Sequence, residues 1–233
     1  MSAADRDAAR VEAARADAAR IAADREAARD WRGLADARRS QADIARSAGA
    51  FDDAEEYLRA AWTLYLMLND NYWTTRTLTS LAEVRLSMGD SLTAAGLSGQ
   101  AAERMPGDTD ALTILAYAEW QAGSPADAEV TFSRALHWDA DTLPALIGRG
   151  QVRADMRDYS LALDDLDRAL KFPLDAETEA DARSARALAL AGLGRTASAR
   201  AELAKSIQLF PSRPRTQNRA DRIAALVGDP PSA

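Results

Sequence analysis

The chain has one histidine, His137, beside Trp138. Acid–base chemistry near neutral pH most often starts from such a residue. A lone imidazole needs company, however. A zinc site takes three or four ligands and a Ser-His-Asp relay takes two orienting partners. Nothing recognisable surrounds His137, and there is no cysteine to supply thiolates, so its expected role is structural or exposed. The neighbouring carboxylates Asp52-Asp53, Asp139-Asp141 and Asp164-Asp165 could share a proton and do acid–base work. In a chain with 36 acidic residues such neighbours arise freely. "DAETEADA" (175–182) lacks the ligand spacing of a calcium loop. "AGLGRT" (191–196) has two glycines but no lysine to reach a phosphate. These residues predict no enzyme, no cofactor and no metal site.

The totals agree with a non-catalytic role. A net charge of −7 over 233 residues opposes a phosphate backbone, so no nucleic acid is expected as partner. Positive charge is almost all arginine; Lys171 and Lys205 are the lysines. Gly and Pro are scarce, aromatic content is 6% and alanine is abundant, which favours helix throughout. The first 30 residues carry charge all along and no apolar stretch. No export signal or membrane insertion is expected, and a cytoplasmic location follows as the expectation.

The elements that position these residues show in a recurring spacing. Gly49 is followed at plus five and plus twelve by Ala54 and Ala61, Gly89 by Ala94 and Ala101, and Gly123 by Ala128 and Ala135. Arg157 takes the glycine place before Ala162 and Ala169, and Gly194 precedes Ala199 and Ser206. The steps from 89 to 123 and from 123 to 157 are both 34 residues, with outer steps of 40 and 37 that imply insertions. A fixed period with small residues at fixed places predicts a stack of helix pairs, each too thin to bury its apolar face alone.

The pattern resembles the tetratricopeptide repeat, a helix-turn-helix of 34 residues. In "ALTILAYAEWQAGSPADAEVTFSRALHWDA", Leu115 and Ala116 match the family's Leu-Gly pair with alanine in place of glycine, and Gly123, Ala128, Phe132 and Ala135 match its turn glycine, alanine, aromatic and alanine. Leu81, Gly89, Pro106, Gly150, Tyr159 and Pro211 match in the other units. The resemblance implies an all-α, right-handed α-α superhelical solenoid with a long N-terminal helix. Its implied units are 35–68, 75–108, 109–142, 143–176 and 180–213, after a helical extension over 1–34. A capping helix over 214–228, with Ile223, Leu226 and Val227 on one face, and a tail over 229–233 complete the chain. The front, through Trp31, lacks Gly and Pro and is expected to be helical without a sharp heptad seam. "LNDNYWT" (68–74) is expected to hold the six-residue insertion.

By the same resemblance, first helices line a concave groove for a protein or peptide partner. The residues so placed are Arg39, Asp43, Arg46, Arg76, Thr79, Glu83, Tyr117, Trp120 and Gln151, with Leu86, Asp110, Thr113, Ile147, Ser184 and Leu188 beside them. Tyr117 and Trp120, three apart, share a helix face and could anchor a partner. The arginines could meet its acidic groups. The lysine and asparagine with which some members clamp a chaperone's terminal carboxylate have no match here. The expected function is a protein–protein interaction scaffold that receives a peptide or helix. The alternative is a self-assembly module, a homo-oligomer formed through the N-terminal helix or the array ends.

Overall fold

The computed structural model describes residues 3–211 and 214–227. The expected closing glycine Gly228 and the tail 229–233 lie outside them. Twelve helices and no strand are found among the described residues: α1 (Ala3–Ala27), α2 (Trp31–Ser47), α3 (Phe51–Met67), α4 (Asn71–Ser87), α5 (Ser91–Arg104), α6 (Thr109–Gln121), α7 (Pro125–Trp138), α8 (Leu143–Met156), α9 (Tyr159–Ala169), α10 (Ala176–Gly192), α11 (Thr196–Leu209) and α12 (Pro214–Val227). Two compact units divide the chain, one through Ala118 and the other from Glu119.

Seven turns close in one way. Gly49, Gly89, Gly123 and Gly194 take positive φ, as do Arg29, Asn69 and Arg157. In each case the next residue's N–H reaches back five positions. Asp30 donates to the Arg25 carbonyl, Asp90 to that of Arg85, Ser124 to that of Glu119 and Asp158 to that of Arg153, all at 2.8–2.9 Å. This is the closure that a left-handed residue makes possible after a helix. The residue that follows can cap the next helix: the carboxylates of Asp30, Asp70 and Asp90 accept from the N–H groups of Gly33, Trp73 and Thr93. The joints after α5, α7 and α11 instead leave the helix through extended residues, Met105, Asp139 and Phe210.

The small positions do what the spacing predicts. Ala54, Ala61, Ala94, Ala101, Ala128, Ala135, Ala162, Ala169, Ala199 and Ser206 all have 0% exposure. They lie seven apart on second helices, two turns along one face.

In the first unit the front departs from expectation. The helix predicted through Trp31 breaks at Ala28–Asp30, because Arg29 turns left-handed (φ 55°) and Asp30 caps α2. α1 then packs on the first pair, with Ala22 buried against Leu34 and Ala37. The unit starts expected at 35 and 75 fall inside α2 and α4. The inserted residues near 68–74 form no loop. They lengthen α3 and α4 to 17 residues each around a tight turn at Asn69.

In the second unit Phe132 of α7 is fully buried and reaches the backbone of α8. A Cβ at Gly148 would stand 2.3 Å from its ring. Asp165 of α9, also buried, receives the Arg149 guanidinium through Nε (2.9 Å) and Nη2 (2.7 Å) and Arg153 Nη1 at 2.8 Å. Arg153 Nε holds Glu129 of α7 at 2.7 Å, so one acid–arginine chain ties three successive helices.

Two substitutions separate turn strain from packing. Nothing lies within 4 Å of a Cβ at Gly123 (φ +90°), so Gly123→Ala should cost only the left-handed penalty, about 1 kcal/mol, and Arg157→Gly should recover a similar amount. Gly148→Ala should cost more, about 2–3 kcal/mol, because the Phe132 ring must move. Urea unfolding of the full chain measures all three.

Candidate functional site

In the first unit the residues expected to contact a partner lie where α2 faces α4 and α4 faces the start of α6. Arg46 is 3.6 Å from Asp43 and pairs directly with Glu83 of α4. Half-buried Arg39 lays its guanidinium 4.4 Å from the centroid of the Trp73 ring. Arg76 Nη1 donates to both oxygens of buried Asp108 at 3.1 Å, and its Nη2 lies 3.0 Å from Asp110. Burial pulls the Arg76 pKa down, but its hydrogen bonds and charge pairs with Asp110 and Asp108 win and raise it. Two of the three arginines expected to meet a partner's acids, Arg46 and Arg76, are therefore engaged by the chain's own, while Arg39 lies on an aromatic ring. Thr79 is buried and points back to the Thr75 carbonyl.

Around this face runs a cluster that the repeat spacing does not reveal. Tyr65 of α3 donates to Asp36 Oδ1 at 2.6 Å, stacks on Trp73 with centroids 6.0 Å apart, and carries Arg32 at 5.4 Å. Burial, then the hydrogen bond to Asp36, push the Tyr65 hydroxyl up to about 12. Trp73 is half-buried and Tyr72, its edge-on neighbour, is exposed. The available signal was Asn69-Asp70, a left-handed residue followed by a helix cap, which is the same pair type as Gly89-Asp90.

Tyr117 and Trp120 share one turn of α6, and both are half-buried. In the second unit Trp120 and Gln121 border a cavity of about 210 Å³ together with Asp155 of α8 and Asn218, Arg219 and Arg222 of α12. Gln151 is only 2% exposed, with its Oε1 buried and unpartnered, so it faces the interior rather than an open surface. The apolar face expected on α12 is narrower than Ile223, Leu226 and Val227. Ile223 is buried but Leu226 is 49% exposed, and the buried face is completed by Thr216 and Arg219. The Val227 side chain lies outside the described residues.

Glu119 stands four residues before its turn residue, a register that carries Arg85 in α4 and Arg153 in α8. Arg85 pairs with Glu55 and Arg153 with Glu129. Glu119 instead keeps Oε2 buried without a hydrogen bond. Among the described residues no three metal-capable side chains converge, and no helix is long and apolar enough to cross a membrane.

Paired helices, left-handed turns and alanine contacts at fixed places define the fold of tetratricopeptide-repeat proteins. Solved structures agree. The chain is similar to a thermophilic TPR protein of Thermus thermophilus, at 21% identity over 83% of this chain and 98% of that one, with a TM-score of 0.60. It is also similar to BtubC (BKLC) of P. vanneervenii, at 19% identity over 100% and 95%, TM-score 0.65. YrrB, described as a TPR protein with an unusual peptide-binding site, matches at 16% identity over 79% and 91%, TM-score 0.55. No protein-family model and no curated protein sequence matches the chain.

Burial raises the Glu119 pKa, opposed by its hydrogen bond to Thr131 and by Arg134 and reinforced by Asp127. A folded-state pKa above the unfolded value of about 4.5 means stability is highest below that value and falls as pH rises through the folded pKa. Glu119→Gln should therefore stabilise the chain at pH 7, and the advantage should shrink as pH falls towards 4.5. Urea midpoints of both chains at the two pH values read this directly.

Proposed function

We propose that the chain is a protein–protein interaction scaffold without catalytic function. It receives a peptide or a helix of a partner on its first-helix faces, with Tyr117 and Trp120 of α6 as the anchor. The observation that carries this reading is the pairing of Arg46 and Arg76 with Glu83, Asp108 and Asp110. With those charges spent internally, the anchor rests on residue type, since an amphipathic aromatic pair is the kind that dominates measured hot spots. YrrB, which shares the fold, is described as having a peptide-binding site, and this supports a peptide as the kind of ligand. The repeat array expected over 35–213, whose first helix α2 starts earlier at Trp31, belongs to the same reading.

The test uses the full chain, a partner isolated on it, and isothermal titration. Tyr117→Ala with Trp120→Ala should weaken that partner about 30-fold or more, equivalent to about 2 kcal/mol, while helicity and cooperative unfolding persist. Sedimentation over a concentration series supplies the counter-case. A chain that associates only with itself, equally with and without the double substitution, would overturn the scaffold reading in favour of self-assembly.

A further inference from the structure

α12 lies on residues that the family resemblance assigns to partner contact. Arg219 Nη1 donates to Ser184 Oγ at 2.8 Å and to the Asp181 carbonyl at 3.3 Å, both on α10. Ile223 is buried in one cluster with Leu188 and Ala187. Arg222 pairs with Asp155 of α8, 67 positions earlier in the chain. One helix thus spans the first helices of two successive pairs.

Its hold is narrow. Ile223 is the single large aliphatic side chain that α12 buries among its described side chains, while Gln217, Asn218, Asp221, Ala225 and Leu226 are exposed. The cavity beside Trp120 stays open next to Arg219 and Arg222. A 14-residue helix is marginal by itself in water, so α12 owes its order to the surface beneath it. That surface selects by chemistry: a small apolar seat at Leu188, acceptors at Ser184 and the Asp181 carbonyl, and a carboxylate at Asp155.

We infer that α12 is a resident, exchangeable ligand of the α8–α10 face, and that the partner this face takes is a basic amphipathic helix. Such a helix carries a branched aliphatic residue with arginine one and four positions before it, as Arg222 and Arg219 precede Ile223. The kind of partner rests on the scaffold reading; the exchange of α12 does not. α12 is joined to α11 by a few residues, so in the intact chain its effective concentration at the face is high and any outside helix must compete with it.

The probe is a fluorescein-labelled peptide of residues 214–227, followed by anisotropy against the full chain. Ile223→Asp releases the resident helix, and this chain should bind the peptide about 30-fold tighter than the wild type does. Adding Asp155→Arg should weaken the peptide about tenfold, and a peptide with Arg222→Asp should restore binding to that chain. Equal peptide binding by wild type and Ile223→Asp, or indifference to the charge reversal, overturns the proposal. Hydrogen exchange on the wild-type chain gives an arm independent of any variant's folding. α12 amides that exchange well before those of α10 support it; α12 amides protected as long as those of α10 overturn it. If the peptide arm fails while the Tyr117/Trp120 partner titration succeeds, this inference falls alone. If the titration fails while the peptide arm succeeds, the scaffold reading falls and α12 exchange stands.

Discussion

Close approach of two backbones through alanine is the contact on which the rest of this molecule depends. The second helix of each pair turns a face with small residues seven apart towards its neighbour, and those residues are fully buried. Antiparallel helices reach that distance only if the chain reverses within about three residues. A left-handed residue does this without leaving the helix's last carbonyls unpaired. The turn and the contact need each other. A longer connection would let the helices separate, and a larger side chain at the contact would force them apart even with the turn intact.

Large aliphatic side chains join one pair to the next where they cluster, Leu58 with Leu81 and Val84 between α3 and α4, and Leu163 with Leu188 and Leu190 between α9 and α10. Phe132 against Gly148 and Tyr65 against Trp73 add aromatic contacts between pairs. Arginine supplements them, because its long stem packs on apolar surface while its planar head takes two acceptors in fixed geometry. Glu55 with Arg85, Glu129 with Arg153, Asp165 with Arg149 and Glu202 with Arg183 each join helices of different pairs or of one pair. Such pairs are weak evidence of stability, since desolvation offsets much of their attraction. They do fix register, because a guanidinium shifted by one helical position loses its carboxylate. The same demand for arginine explains why the faces expected to attract acids carry few uncommitted cations.

The pair count and the turn glycines were legible because glycine at positive φ and alanine at close contact are nearly irreplaceable, so residue type reveals place. Positive φ at Arg29, Asn69 and Arg157 was harder to read. These residues enter the left-handed region at a cost, and the surrounding hydrogen bonds decide that they do. Arg157 showed itself through the 34-residue phase, whereas Arg29 and Asn69 fell outside it. The site was legible only in outline. Position along a first helix predicts which side a residue faces, but not whether a neighbour has already taken its charge. Arg46 and Arg76 illustrate this, since Glu83 and Asp108 come from elements whose approach is a tertiary fact. Gln151 and Thr79 are buried for a related reason, because a face expected to be open is covered once adjacent helices arrive.

The front of the chain follows a different clock from the back, and the difference has a chemical consequence. Left-handed residues at 29, 49, 69 and 89 are 20 apart, since helices of 17 residues alternate with equally tight turns at both ends. From Gly89 on, the spacing between such turns is 34 or 37, because every second joint is of another kind: extended residues lead out of α5 and α7, and residues 170–175 separate α9 from α10. The longer helices of the first unit each gain nearly a turn, and that added length holds Arg32, Tyr65, Asp70 and Trp73. These four stack and pair where α2, α3 and α4 meet. A tight turn at Asn69 is therefore more than a substitute for an extended joint. It brings Asp70 to Arg32 and Trp73 to Tyr65 by the same reversal, so the polar and aromatic links of the first unit follow from the geometry of one left-handed residue.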